Sequence, residues 1–238
     1  MADTPDNIPT PEEDAFLREV DEELRRAELT SIWERYGRLF IGGLVGMLAL
    51  VAGFLFWTDH KAKNAGIMGE RFDKALERVD ASDVKGADQQ FSAIAKDDQG
   101  GYRVSALFSQ AGLAIKANNL KKAADLYDQI AKDPSVPQQW RDMALVRKTT
   151  VEFDSLKPAD VIARISPLVN KDNAQFGSAA ELKAIALMKM GRKEEAGKLF
   201  AAIYKEETVP QSLRDRALRM TSVLGVNLVD QAKEVKTK

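Results

Sequence analysis

His60 is the single histidine of the 238-residue chain, and cysteine is absent. A Ser-His-Asp arrangement would have to run through that one imidazole, and neither a His-x-x-x-His zinc helix nor a thiolate metal site can be built. His60 follows Trp57-Thr58-Asp59 with no second catalytic group spaced to orient it, so it reads as an interfacial polar residue. Asp97-Asp98-Gln99-Gly100-Gly101 gathers acids and glycines without the ligand spacing of a calcium loop and reads as a turn. No phosphate-binding loop, dinucleotide glycine fingerprint or serine nucleophile elbow occurs. The expected class is therefore not an enzyme, and no pattern calls for a cofactor or a metal. The missing thiols leave the redox compartment open, since they suit either side of a membrane.

With catalysis set aside, the elements that would position a contact surface come forward. The overall charge of -1 conceals a segregation. Up to Arg38 there are 11 acidic and 5 basic residues, whereas from Asp59 onward there are 25 acidic and 30 basic. Between them, Leu39 to Thr58 reads LFIGGLVGMLALVAGFLFWT, without one charged side chain. Twenty helical residues cover about 30 Å, the thickness of a bilayer hydrocarbon core. Trp33, Tyr36 and Phe40 before the middle of the segment and Phe54, Phe56 and Trp57 at its end are aromatics suited to the two membrane interfaces. The leader is too long and too acidic for a cleaved signal peptide, so residues 39–58 are expected to be a retained single membrane span.

Gly42, Gly46, Ala49 and Gly53 share one face of that span. Small residues let a second helix approach closely, so the stripe suits a homo-oligomer or a partner's transmembrane helix. It equally fits the ordinary abundance of glycine and alanine in membrane helices. Orientation does not follow from charge. Arg25, Arg26, Arg35 and Arg38 precede the span, and Lys61, Lys63, Arg71 and Lys74 follow it, which is a tie.

Residues 1–9 have little to bury and are expected to be disordered. Thr10-Pro11-Glu12-Glu13 is a helix-start signal, and Phe16, Val20, Leu24, Ala27 and Ser31 then recur on one side, predicting an amphipathic juxtamembrane helix over 10–38. It suits partner docking or a solvated approach to the membrane, and its acidity argues against anionic lipid.

Beyond the span, a shift of 73 residues aligns Ala123, Leu126, Tyr127 and Ile130 with Ala196, Leu199, Phe200 and Ile203. It also superposes Val136-Pro137-Gln138 on Val209-Pro210-Gln211 and Arg141-Asp142 on Arg214-Asp215. Half that period holds as well. Phe91, Tyr127, Ile165 and Phe200 recur every 35 to 38 residues, each with an aliphatic residue three positions on and a small or β-branched one four before. Ala75, Ala111 and Ala184, with Thr149 in the same place, sit where first helices cross closely. Ser82-Asp83, Asn118-Asn119 and Gly191-Arg192 supply the breaks.

The expected fold is all-α: a transmembrane helix followed by an α-solenoid over 62–224, with hairpins at 62–98, 101–133, 137–170 and 175–206, and a capping helix from Gln211 to Leu224. Residues 225–238 read as a flexible tail. Pro167 falls late in the third hairpin and marks it as degenerate.

Gly191-Arg192-Lys193-Glu194-Glu195-Ala196 with Phe200 and Ile203 resembles a tetratricopeptide repeat. The leader, with Phe16-Leu17-Arg18-Glu19-Val20-Asp21-Glu22-Glu23-Leu24-Arg25-Arg26 and Trp33-Glu34-Arg35-Tyr36-Gly37, together with one span and four divergent hairpins, resembles the ancillary SecYEG translocon subunits (YfgM-like) of alphaproteobacterial type. That resemblance implies a single-pass protein of the bacterial inner membrane with a cytoplasmic N-terminus and a periplasmic repeat domain. Its implied partners are the Sec translocon and periplasmic chaperones.

Function in a helical solenoid usually lives on the concave face, built from the first helices. The repeat frame places Phe108, Lys116, Glu181 and Lys189 there, a mixed apolar and charged groove for a protein segment, although the same positions suit inter-repeat packing. The Arg141-Asp142 and Arg214-Asp215 pairs read as helix-start stabilisers. The basic excess is spread over many helices without a dense stripe, so nucleic acid is not an expected partner. Two roles remain open: an accessory factor at protein export, and a coordinator of cell-envelope assembly or division.

Overall fold

The computed structural model describes residues 11–97 and 100–225, with side chains from Trp33 onward. The expected disorder of residues 1–9, the faces of the leader helix, Asp98-Gln99 of the glycine turn and the tail beyond Gly225 lie outside the described residues. All regular structure among them is helical: α1 (Pro11–Asp80), α2 (Val84–Asp97), α3 (Gly101–Lys116), α4 (Leu120–Lys132), α5 (Gln138–Glu152), α6 (Pro158–Ile165), α7 (Phe176–Lys189), α8 (Lys193–Lys205) and α9 (Gln211–Val223). The chain divides into two compact units, Met1–Gly66 and Ile67–Lys238.

In the first unit, α1 carries a stretch long and apolar enough to cross a membrane. Its large side chains are bare: Leu39, Leu44, Leu50, Phe54 and Phe56 are all more than half exposed. A helix from the core of a water-soluble domain would have buried them.

The second unit is a stack of helix pairs. Each second helix buries one face through residues at i, i+4 and i+7: Ala87, Phe91 and Ile94 on α2; Ala123, Tyr127 and Ile130 on α4; Ala196, Phe200 and Ile203 on α8. Burying so large an aromatic against the neighbouring helix stabilises each pair by about 3–5 kcal/mol, judged from what its truncation to alanine costs in other cores. Helix α6 keeps the face with Val161 and Ile165 but is only eight residues long. Pro167 has no N–H to continue the ladder, so the chain tightens into a 3-10 turn over Ser166–Leu168. That turn still delivers Leu168 to the core, 6% exposed.

The turns α1–α2, α3–α4 and α7–α8 share one geometry, which the α5–α6 turn lacks. Ser82, Asn118 and Gly191 adopt positive φ of 63°, 55° and 75°. The next residue's N–H then reaches back five positions: Asp83 to Arg78 and Asn119 to Ala114 at 2.8 Å, Arg192 to Leu187 at 2.9 Å. This closes the last carbonyls of the first helix and reverses the chain. Asn119 continues as the N-cap of α4, its Oδ1 accepting from Lys122 N–H at 3.1 Å.

Four apolar clusters follow one another along the stack. Ala75, Phe91, Ile94 and Leu113 join α1, α2 and α3. Leu107, Tyr127, Ile130 and Ala144 join α3, α4 and α5. Val146, Ile165, Leu168 and Ala179 join α5 to α7, and Phe176, Phe200, Ile203 and Leu213 join α7, α8 and α9. The first helices α3, α5 and α7 thus each serve the cluster on either side, as expected for a quasi-one-dimensional repeat fold.

Candidate protein-interaction surfaces

The first helices of the second unit, α3, α5, α7 and α9, with the Ile67–Asp80 end of α1, touch their successors through side chains rather than backbone. Phe72 of α1 meets Tyr102 of α3 with ring centroids 5.9 Å apart. Phe108 of α3 meets Trp140 of α5 at 6.1 Å, while Arg147 of α5 lies over the Phe108 ring at 5.2 Å. Just past α5, Asp154 accepts a hydrogen bond from Lys189 of α7 at 2.9 Å, and Lys189 Nζ sits 4.6 Å from the Phe153 ring centroid. Glu181 of α7 accepts two bonds from Arg216 of α9, one of them 2.7 Å. This face changes character along the stack, aromatic at its N-terminal end and ionic at its C-terminal end.

Each expected groove residue therefore has a definite place. Phe108 is half-buried between Tyr127, Trp140 and Arg147. Lys116 ends α3, is exposed, and has no acidic partner among the described residues. Glu181 is held by Arg216 of α9, and Lys189 by Asp154 in the turn after α5. The four are not gathered into one cluster. Sequence reasoning passed over Trp140, 41% exposed beside Phe108, and Arg147. The signal for Trp140 was present: a large aromatic three residues after Pro137.

The electrostatics of the unit are mostly local closures. Asp133, in the loop after α4, accepts from the Ser135 hydroxyl at 2.6 Å, the Ser135 N–H at 2.9 Å and Arg103 at 2.5 Å. Those bonds to the charged form, Ser135 first, hold its carboxyl down to about 2. Glu206, its counterpart after α8, is also lowered, chiefly by Thr208. The paired carboxylate of Glu181 raises the Arg216 guanidinium further.

Arg141-Asp142 and Arg214-Asp215 do not pair directly. A glutamine bridges each couple: Gln138 donates to Asp142 at 2.6 Å and accepts from Arg141 at 2.5 Å, while Gln211 donates to Asp215 at 2.8 Å and accepts from Arg214. Asp142 is also capped by the Asn173 amide at 2.8 Å. Nothing in the 73-residue spacing pointed to Asn173, because it belongs to the loop preceding the next pair.

In the first unit, added Cβ atoms at Gly42, Gly46 and Gly53 would meet nothing within 4 Å, so with Ala49 this stripe is open. A shallow apolar groove lies elsewhere on the helix, lined by Tyr36, Leu39, Phe40, Gly43, Leu44 and Met47. At about 100° per residue it is centred roughly a third of a turn from the stripe. His60 is exposed, stacked on Phe56 at 6.4 Å and within 3.2 Å of the Asn64 amide. It faces no acid or nucleophile in those contacts.

A family model described as a tetratricopeptide repeat-like domain matches residues 31–220. No curated protein and no solved structure matches the chain.

Proposed function

The chain belongs to the tetratricopeptide repeat-like domain family, and we propose that it is a membrane-anchored scaffold for protein contacts, working as an accessory factor at the Sec protein-export translocon and linking it to envelope chaperones. In this reading α1 crosses the bacterial inner membrane over residues 39–58, the N-terminus is cytoplasmic and the repeat unit is periplasmic. The observation that carries it is the coexistence in one chain of a bare, charge-free apolar helix segment and a stack of repeats with exposed side chains along its first helices.

Phe108 and Trp140 form the apolar part of the proposed partner groove, and Lys116 its open cation. Glu181 and Lys189 would reach a partner only by releasing Arg216 and Asp154. In the span, Gly42, Gly46, Ala49 and Gly53 form the proposed helix contact, with a second copy or with a translocon helix.

The test is crosslinking in native membranes from a photoreactive residue at Trp140. Recovery of translocon components and envelope chaperones is the expected result; a partner list free of both sinks the export assignment. Protease added to spheroplasts should remove the repeat unit and spare the leader. Loss of the leader alone would invert the topology.

A further inference from the structure

The turn between α3 and α4 differs from its repeat-related counterpart between α7 and α8. Ile115 and Leu120 flank it, 39% and 44% exposed, and Lys116 and Lys121 stand beside them, exposed and without acidic partners among the described residues. Asp125, one turn on from Lys121, makes no ion pair with it in the structure, and Lys122 is already engaged by Asp88 at 2.7 Å. The turn is also held rigid, through the positive φ of Asn118, the Asn119 to Ala114 bond and the Asn119 cap.

The repeat-related turn 73 residues later is the internal control. It has the same backbone, with Gly191 at φ 75° in place of Asn118. There Lys189 is bound to Asp154, Arg192 donates twice to Glu195 at 2.6 Å, and Lys193-Glu194 replace Leu120-Lys121. Helix α8 begins with Glu194 and Glu195 in its first turn, which answers the partial positive charge of its free N–H groups, whereas α4 has no acid in its first turn. The same scaffold is thus closed at one turn and left apolar and positive at the other.

We propose that the Ile115–Lys121 turn is a docking surface for an acidic amphipathic helix of a partner protein. This rests on the scaffold reading above and adds to it a second surface, apart from the first-helix groove. The aliphatic pair supplies the contact, and Lys116, Lys121 and the acid-free first turn of α4 select Asp or Glu around it. A protein suits the turn better than a lipid surface. Asn118 and Asn119 lie between the two aliphatics, and their amides can pair with a peptide but would lose partners among acyl chains.

The test uses the full chain in detergent micelles and two synthetic helices as probes, one of Glu, Leu and Ala, the other with Lys for Glu. The acidic helix should bind and weaken with added salt, and the lysine twin should not bind. Leu120→Lys with Lys121→Glu, which copies the closed turn, should reduce affinity about tenfold or more. Lys193→Leu with Glu194→Lys should create a second site. Should the first pair lose helical circular dichroism, Lys116→Glu with Lys121→Glu replaces it, both positions being exposed. Equal binding of the two helices, indifference to these changes, loss of binding through Trp140→Ala instead, or binding only to phosphatidylglycerol vesicles would each overturn the proposal. If turn variants fail while Trp140 crosslinks persist, the turn falls and the scaffold reading stands.

Discussion

The pairs α3–α4 and α7–α8, each with the helix that follows, are two copies of one design and diverge where they meet their surroundings. Tyr127 and Phe200 are both buried, as are Ile130 and Ile203. Gln138 and Gln211 bridge their Arg-Asp couples alike. Yet Val104 in the first copy corresponds to Gly177 in the second, where a Cβ would lie 2.9 Å from both Leu213 and Val209 side-chain atoms. The residue after Pro137 that corresponds to Leu213 is Trp140, which is 41% exposed on Phe108 while Leu213 is 7% exposed. In the second copy α7 and α9 therefore approach closely. In the first, a valine fills the seam and the aromatic is turned out to the surface. Repetition fixes the core, and small departures from it decide which surface remains open.

The largest expected effect tests the shared part. Tyr127→Ala and Phe200→Ala should each cost about 3–5 kcal/mol, measured by urea unfolding in micelles. Near-equal losses are expected, because both side chains are at most 2% exposed. A loss confined to one copy would mean that the two are not energetically equivalent.

Next comes the seam. Gly177→Val should destabilise by about 1–3 kcal/mol, since it forces extra volume against Val209 and Leu213. Val104→Gly should instead loosen the first copy, and Trp140 fluorescence should report the change. A neutral Gly177→Val would show that α9 can move away at no cost, breaking the close-approach account.

The third contrast is between the two aspartates. Asp142 is 6% exposed and accepts from Gln138 and Asn173, whereas Asp215 is half-buried and accepts from Gln211. Asp142→Ala leaves two amide donors without their acceptor and should cost about 1–3 kcal/mol. Asp215→Ala should cost less than half of that, by the same unfolding measurement. Equal costs would show that the Asn173 cap contributes nothing.

These contrasts also mark what the sequence made legible. The all-α class, the charge-free segment and the recurring aromatic positions were readable because burial imposes a period on residue type. Ser82-Asp83, Asn118-Asn119 and Gly191-Arg192 were readable as breaks, though not their positive φ. Three further features were not readable. Asn173 and Trp140 act across pairs, and no local period records a contact between elements that the chain joins by a loop. Gly177 looks like any helical glycine until Leu213 and Val209 are placed against it. Among the groove candidates, Lys189 and Glu181 lie on α7. Their capture by Asp154 and Arg216 depended on neighbours that alignment at 73 residues does not supply.

A smaller effect is expected at the turns. Gly191→Ala places a Cβ at φ 75° and should cost about 1 kcal/mol, while Asn118→Gly should change stability by less than about 0.5 kcal/mol, asparagine being the side chain that tolerates this region best. Thermal unfolding that ranked the two in the opposite order would show that the turns do not share one geometry.

The smallest effect is electrostatic. Asp133 titrates at about 2 in the folded protein, below its ordinary value of 3.8, so its bonds to Ser135 and Arg103 favour the folded state above pH ~4. That contribution is lost as pH falls through the folded value, because the protonated acid no longer prefers the folded form. Asp133→Asn should therefore lower stability at neutral pH and flatten its decline between about pH 4 and pH 2. Glu206→Gln should act in the same direction, since its carboxyl is also lowered. Each is one of 36 acidic residues, so the acid midpoint of either variant should move only slightly. A steeper acid decline in Asp133→Asn would show that the loop after α4 does not depend on this carboxylate.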